Sequence, residues 1–259
     1  MSIASLIDPV TPQGGPASLA HAEAWMQGRT LYGGASALVA YTAAIRAFPG
    51  LPPLRAAQIG FVAPVGGAIE LRREIVRQGR NVAQVRSEIW CEGACALTAL
   101  WLFGTGREAN AFHPAAPPAD WPGGPDEAEP LGTGKAPPFI ANNFALRRAQ
   151  DERGPGAPVV RRWARLNEQG LLDPVSELIL MGDVLPPGAM RAMRRMGPIS
   201  SINWSFNLLD PAPSTHGGWW LSENASQHAD DGYSSERLRL WNAEGRQVLD
   251  GMQAVAVFG

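Results

Sequence analysis

LYGGASALVAYTAAIRAFPG, residues 31–50, is the stretch from which the fold can be inferred. It predicts one helix from Gly33 to Phe48, which Pro49 ends because the proline ring disfavours helical geometry in the residue before it. Such a helix would be about 24 Å long at 1.5 Å per residue. Apolar side chains lie on every side of it, and the only clearly polar members are Ser36, Thr42 and Arg46. A helix without a solvent face is predicted to be buried.

Antiparallel strands are predicted directly after this helix, at residues 58–64, 69–77, 82–91 and 95–103. Residues 82–91 alternate between one set of mostly small or apolar residues and one mostly polar set, which is typical of a strand with one buried face. The turns at 78–81 and 92–93 contain glycines, which suit the positive φ of hairpin turns. One more strand is predicted before the helix, at 18–26.

The same pattern returns in the second half of the chain. Strands are predicted at 139–148 and 159–167, a helix at 173–183, and strands at 200–209, 219–228, 233–242 and 247–258. RSEIWCEG at 86–93 is echoed by RLRLWNAEG at 237–245. The proline-rich and glycine-rich stretch between the halves suits neither helix nor strand. We therefore predict a loosely held lead-in at 1–16, a first repeat at 17–104, a linker at 105–138 and a second repeat at 139–259.

Composition excludes several classes of function. The 259 residues are 45% hydrophobic and 18% charged, as in ordinary globular proteins, and the net charge of -2 gives no general attraction to nucleic acid or anionic membranes. Cys91 and Cys95 cannot supply the four ligands of a structural zinc site, and the four histidines have no ligand spacing, so no metal is predicted. The N-terminus does not resemble a signal peptide and no apolar run could span a bilayer, so a cytoplasmic location is expected.

Common catalytic and phosphate-binding motifs are missing from the sequence. It contains no Gly-x-Ser-x-Gly elbow and no His-Glu-x-x-His, which argues against a serine hydrolase or a zinc hydrolase. Residues 132–135 resemble the end of a phosphate-binding loop, but Ala136 stands where that loop needs a hydroxyl and the leading glycine is absent. A phosphate site is therefore not expected there.

Taken together, these motifs make the chain resemble a double hot-dog acyl-CoA thioesterase of the type II family along most of its length. In the first half the resemblance lies in GRTLYGG at 28–34, FVAP at 61–64 and EIVRQGRNVA at 74–83. In the second half it lies in MGDVLPP at 181–187, ISSINWSF at 199–206 and LWNAEGRQVLDGMQ at 240–253. It implies an α+β fold, a double hot-dog of two tandem repeats, each with a curved antiparallel sheet wrapped around a long helix.

The resemblance also implies the activity and the partners. The expected activity is hydrolysis of an acyl-CoA or related acyl thioester without a cofactor, in fatty acid metabolism. No nucleic acid or membrane is expected as a partner, and a homo-oligomer is a possible assembly.

The family holds and activates a water with an Asp, a Thr or Ser, and a Gln, which fall here on Asp183, Ser201 and Gln253. Thioester hydrolysis needs an activated water and a stabilised oxyanion, and no side-chain nucleophile. A carboxylate can act as base, while a hydroxyl and an amide orient the water. Free N–H groups of Gly33 and Gly34 at a helix N-terminus suit the oxyanion. By the register of the repeat, the first-half counterparts of Asp183, Ser201 and Gln253 are Gly34, roughly Ala56, and Thr98. None of them is a carboxylate, so we predict one site per chain.

Simpler interpretations of the same residues stay open at this point. Asp183 could cap a helix after Pro187, and Gln253 and Ser201 could be ordinary strand residues. The sequence also departs from the family at Ala35, where a Gln is common. The alternative function is an acyl-thioester or lipid-binding hot-dog protein without hydrolytic activity. A hot-dog dehydratase usually needs a His/Asp pair, which cannot be placed here.

Overall fold

The computed structural model describes residues 2–115, 118, 120–134, 136–150 and 156–258. Its α-helices are α1 Ala4–Ile7, α2 Gly33–Ala47, α3 Pro138–Asn143 and α4 Pro174–Met181. The strands of the first half are β1 Gly15–Ser18, β2 Met26–Gln27, β3 Thr30–Leu31, β4 Leu54–Phe61, β5 Ala68–Gln78, β6 Val82–Cys91 and β7 Ala94–Gly104. Those that follow are β8 Pro130–Leu131, β9 Phe144–Arg148, β10 Val159–Leu166, β11 Ile199–Leu208, β12 Trp220–Asp230, β13 Tyr233–Asn242 and β14 Gln247–Val257.

Twelve of these strands form one antiparallel sheet, in the order β1-β5-β6-β7-β4-β11-β14-β13-β12-β10-β9-β8. The five first-half strands are contiguous, and the seven later strands continue the sheet from them. The halves join where β4 pairs with β11, with Ala57 opposite Phe206. No helix in the described part of the chain is long and apolar enough to cross a membrane.

The predicted buried helix is confirmed as α2. It begins at Gly33, as predicted, and ends at Ala47, one residue before the predicted end, with Phe48 as its C-cap. Every residue from Gly34 to Ala44 is buried. The helix contacts β5, β6 and β7 on the sheet and also contacts α1 and α4. Its apolar circumference is therefore covered by neighbours on several sides.

Strand predictions are most accurate where the alternation of side chains is clearest. β6 and β13 have the predicted bounds. In β6 the side chains at alternate positions are buried, namely Ala83, Val85, Ser87 and Ile89. Gly93 has the predicted positive φ of 81°, whereas Gly79 does not have a positive φ, so that part of the turn prediction is wrong.

Near the N-terminus, two predictions are wrong. Instead of a strand at 18–26, the chain forms β1 and a short 3₁₀ turn at Glu23–Trp25. Trp25 lies in the core beside Ala22 and Ala24, a spacing that a strand could not bury on one face. The lead-in is not loosely held either, because Ile3 and Leu6 are fully buried and α1 contacts α2.

After the linker, the predicted strand at 139–148 is wrong in its first half, where α3 forms. Pro138 stands at its first turn, and the Asn143 amide donates to Ala24 O and Phe139 O. The second-half helix α4 is only eight residues long, so within the described ranges a long helix is found only in α2. The linker contributes β8, which pairs with β9, contrary to the prediction that it suits no strand. Lys135, the last residue of the stretch that resembles the end of a phosphate-binding loop, lies outside the described residues.

Candidate active site

The carboxylate of Asp183 lies beside the amide of Gln253. Asp183 is the second residue after the end of α4, and Gln253 is a buried residue of β14. The Gln253 Nε2 group donates to Asp183 Oδ1 at 2.8 Å. The backbone N–H of Gly34 also lies near enough to the Asp183 carboxylate to lower its pKa. Asp183 and Gln253 are thus joined by a direct hydrogen bond, and the start of α2 lies against the carboxylate.

The glycine pair lets the N-terminus of α2 approach this carboxylate. A Cβ atom built on Gly33 would lie 2.1 Å from Asp183 Oδ2 and 3.0 Å from Phe61 Cζ. A Cβ atom on Gly34 would lie 2.4 Å from the carbonyl oxygen of Leu180. Real Cβ atoms do not approach so closely, so Gly34 requires glycine against the backbone of Leu180, and a side chain at Gly33 would displace the Asp183 carboxylate. The positive end of the α2 dipole therefore faces Asp183.

Burial raises the pKa of Asp183 from its ordinary value of 3.8 to about 7. The hydrogen bond from Gln253 and the nearby N–H of Gly34 act in the opposite direction, because they stabilise the charged form. The residue as a whole nevertheless remains partly exposed. A carboxylate that titrates near neutral pH and can still be reached by water is suited to act as a general base.

Tyr32 directly precedes the glycine pair and packs beside it. Its hydroxyl donates to Leu180 O at 2.8 Å, and its ring stacks on Phe139 with centroids 4.3 Å apart. Burial and the nearby charge of Asp183 both hold the pKa of Tyr32 well above its ordinary value. Tyr32 is therefore a neutral hydrogen-bond donor that fixes the end of α4 against the start of α2.

Ser201 lies on β11, one strand away from Gln253. It pairs with Val255, and Gln253 pairs with Trp204, with a bulge in β11 between the two pairs. Directly paired residues of antiparallel strands share a face, so Ser201 lies on the same face as Gln253. It is partly exposed, and its hydroxyl makes no hydrogen bond to another described residue. The structure thus brings Asp183, Gln253 and the glycines into contact, and places Ser201 further along the same face.

The alternative role for Asp183, as a cap after Pro187, is wrong. The 3₁₀ turn Gly188–Ala192 receives the carboxylate of Glu236 instead, which accepts from the N–H groups of Gly188 and Ala189. Asp183 points to the start of α2, which lies about 150 residues earlier in the chain. Sequence reasoning could not find this contact because it joins the two halves.

Sequence reasoning also missed three aromatic neighbours of the site: Tyr32, Phe61 and Trp204. The ring of Trp204 is fully buried and packs on Gly182, where an added Cβ would lie 2.5 Å from the indole. All three lie in sequence motifs quoted above. Those motifs indicate that the side chains are buried, but they do not show which part of the fold the side chains contact. Among the described residues, no group of His, Cys, Asp and Glu could hold a metal ion.

Comparison with known proteins agrees with this architecture. Residues 21–104 match the family model of the acyl-CoA thioesterase N-terminal domain, and residues 113–257 match that of the acyl-CoA thioesterase C-terminal domain. A search of curated proteins found no match.

Three solved structures show the same fold. A conserved protein of unknown function with a hot-dog fold from Alicyclobacillus acidocaldarius is 19% identical, with a TM-score of 0.77 over 94% of this chain and 92% of that one. The acyl-CoA thioesterase II TesB2 from Mycobacterium marinum is 17% identical, with a TM-score of 0.74 over 99% and 98% of the two chains. The tesB protein of Mycobacterium avium subsp. paratuberculosis is 16% identical, with a TM-score of 0.75 over the full length of both.

The fold is therefore the hot-dog fold, and the two family matches together extend over most of the chain. The chain belongs to the acyl-CoA thioesterase family and is a thioester hydrolase.

Proposed function

We propose that Asp183, Ser201 and Gln253 hold and activate the water that hydrolyses an acyl-CoA or related acyl thioester. The observation that carries this proposal is the hydrogen bond from Gln253 to a carboxylate whose pKa is about 7, at the N-terminus of α2. Gln253 uses its Nε2 group to hold Asp183, which leaves its carbonyl oxygen to accept a hydrogen bond from the water. The hydroxyl of Ser201 supplies a further contact to that water.

In the proposed reaction, the Asp183 carboxylate takes a proton from the water as the water oxygen forms a bond to the thioester carbonyl carbon. The carbonyl oxygen becomes an oxyanion. When the tetrahedral intermediate collapses, the carbon–sulfur bond breaks and the electron pair leaves on the thiolate. A thiolate is a stable leaving group near neutral pH, so the site needs no strong acid. The protonated Asp183 then gives its proton to the thiolate, which restores the carboxylate, and the products are a carboxylic acid and a thiol.

The oxyanion is assigned to the N-terminus of α2, where N–H groups lack partners within the helix. Gly33 and Gly34 both belong to this turn, but the N–H of Gly34 faces the Asp183 carboxylate and lowers its pKa. Within the glycine pair, the donor to the oxyanion is therefore Gly33. Its missing side chain also lets the Asp183 carboxylate lie directly against the start of α2.

We also propose the double hot-dog division, with repeats at 17–104 and 139–259, a lead-in at 1–16 and a linker at 105–138. The contiguous block of first-half strands supports the division, as do the contacts of α2 with β5, β6 and β7 in the wrapped arrangement. In our alignment of the halves, Gly34 corresponds to Asp183 and Thr98 to Gln253. One catalytic site per chain follows, since the first half offers no equivalent carboxylate.

Thiol release from a panel of acyl-CoAs tests the assigned site. Asp183→Asn and Gln253→Ala should each lower turnover by about a hundredfold or more, in line with removing a positioned group. Ser201→Ala should lose about tenfold or more, whereas Ser201→Thr should keep most activity because it keeps the hydroxyl. Gln247→Ala is the matched control, because Gln247 is another buried glutamine of β14 and its amide donates to Leu249 O instead. Folded Asp183 and Gln253 variants with wild-type turnover would show that the site is wrong.

The second candidate is an acyl-thioester or lipid-binding protein that has lost hydrolysis. Ala35 and the lack of a partner for the Ser201 hydroxyl among the described residues favour it. Thermal shift with acyl-CoAs separates the two candidates. Stabilisation by acyl-CoAs of every chain length, without thiol release, would support the binding protein.

A further inference from the structure

Glu236 on β13 is a buried carboxylate that the proposed reaction does not use. Its side chain is fully buried. It accepts hydrogen bonds from the backbone N–H groups of Gly188 at 2.8 Å and Ala189 at 3.2 Å, and from the hydroxyl of Ser234. Burying a carboxylate is costly without such partners, so its three donors indicate a specific role.

Those two N–H groups belong to residues 184–189, the segment that directly follows Asp183 in the chain. From the neighbouring strand β12, the buried Asn224 side chain donates to Leu185 O at 2.8 Å and to Pro186 O at 3.3 Å. Glu236 thus accepts from the N–H groups of this segment, while Asn224 donates to its carbonyl groups. Two side chains of complementary polarity hold one short segment on the sheet.

The segment is also stiff and tightly seated. Pro186 and Pro187 have fixed φ angles, which leaves little freedom between Asp183 and Gly188. Gly188 lies directly on the sheet, since a Cβ atom built there would be 2.1 Å from Pro158 O and 2.7 Å from the nitrogen of Ser226. A displacement at Gly188 would therefore be transmitted along the chain towards Asp183.

Glu236 is also the direct neighbour of Gln253 in the sheet, because the two residues pair between β13 and β14. Paired residues share a face, so both side chains rise towards the same segment. Gln253 binds Asp183, the residue just before this segment, and Glu236 binds Gly188 and Ala189 at its end.

We propose that Glu236 is a positioning residue, which acts through residues 184–189 to keep the Asp183 carboxylate against Gln253 and the start of α2. This inference rests on the proposed function, since it assigns Asp183 as the base. Misplacement of a reacting group by about 1 Å can cost about a hundredfold in rate. Loss of Glu236 should therefore lower kcat much more than it changes KM.

The test compares Glu236→Gln with Glu223→Gln by thiol release from one acyl-CoA. Glu223 is a matched control, because it is a buried carboxylate of β12 that pairs with Arg161 and Arg239, and it precedes Asn224 and so lies on the other face of the sheet. We expect Glu236→Gln to lower kcat about ten- to a hundredfold with KM changed by less than about threefold, and Glu223→Gln to keep wild-type kcat. Equal kcat values in the two folded variants would overturn the proposal.

A double variant shows whether Glu236 acts through Asp183. In an Asp183→Asn background, Glu236→Gln should cause no further loss of kcat, whereas multiplied losses would contradict the proposal. If Asp183→Asn alone keeps wild-type turnover, the proposed function fails, which is a different result from either outcome above.

Should Glu236→Gln not fold, Asn224→Ala tests the same proposal, because it removes the hydrogen bonds to the carbonyl groups of the same segment. The same fall in kcat is then expected, and an unchanged kcat would overturn the proposal.

Discussion

Activity should rise with pH as Asp183 ionises, because only its carboxylate form can accept a proton from water. Burial raises the pKa of this group to about 7. Between pH 6 and pH 8 the ionised fraction of such a group rises from about one tenth to about nine tenths. The value of kcat/KM should therefore increase about tenfold over that interval.

Gln253→Ala extends the prediction, because the hydrogen bond from Gln253 lowers the pKa of Asp183. Its removal should move the midpoint of the pH profile to higher pH, besides lowering the maximum rate. Gln247→Ala, which truncates a glutamine on the same strand away from Asp183, should leave the midpoint near that of the wild type.

The assay is the initial rate of thiol release from one acyl-CoA between about pH 5.5 and pH 9, with the thiol reagent calibrated at each pH. Constant ionic strength keeps the screening of surface charges the same throughout. A wild-type profile that is flat across this range would refute the assignment of Asp183 as base. A midpoint that moves to lower pH in Gln253→Ala would refute the role given to its hydrogen bond.

Two further predictions concern the same carboxylate. Gly33→Ala should lower turnover about a hundredfold, because the new Cβ would displace Asp183 Oδ2. Gly124→Ala is the control and should keep wild-type turnover, because its Cβ meets nothing within 4 Å. Thiol release measures both variants, and wild-type turnover in Gly33→Ala would contradict the packing argument. Because folding raises the pKa of Asp183, the stability it contributes is full below about pH 3.8 and is lost as pH rises through about 7. In equilibrium denaturation, the free energy of unfolding of Asp183→Asn should therefore rise relative to that of the wild type between pH 4 and pH 8, by at most about 4 kcal/mol. If the difference between the two free energies stays constant with pH, the carboxylate is well hydrated and its pKa is not raised.

Much of the fold could be predicted because local patterns indicate which side chains are buried. The apolar circumference from Gly33 onward predicts α2, and alternating side chains predict the bounds of β6 and β13. Asp173, followed by proline, predicts the start of α4, and its carboxylate does accept from the N–H of Ser176 at 3.1 Å. These signals lie within one turn or one strand, so no distant contact is needed to read them.

The failed predictions are those in which distant contacts outweigh the local pattern. At 139–148 the apolar residues suit a strand, but Asn143 binds the carbonyl oxygen of Ala24, in the other half of the chain, and α3 forms there. The N-terminal lead-in is rich in turn-forming residues, yet Ile3 and Leu6 pack into the core beside α2. Local propensity is only a weak preference, and tertiary packing can reverse it.

The sequence by itself determined the buried helix, most of the strands and, through family resemblance, the candidates Asp183, Ser201 and Gln253. Only the tertiary structure decided that Gln253 binds Asp183 across 70 residues of chain, and that Asp183 meets the start of α2. The pKa of about 7 likewise depends on burial by residues from both halves, and the contact of Glu236 with Gly188 depends on strand register. A linear pattern records the period of side chains along one element, whereas desolvation and hydrogen bonding between elements depend on distances that exist only after the chain has folded.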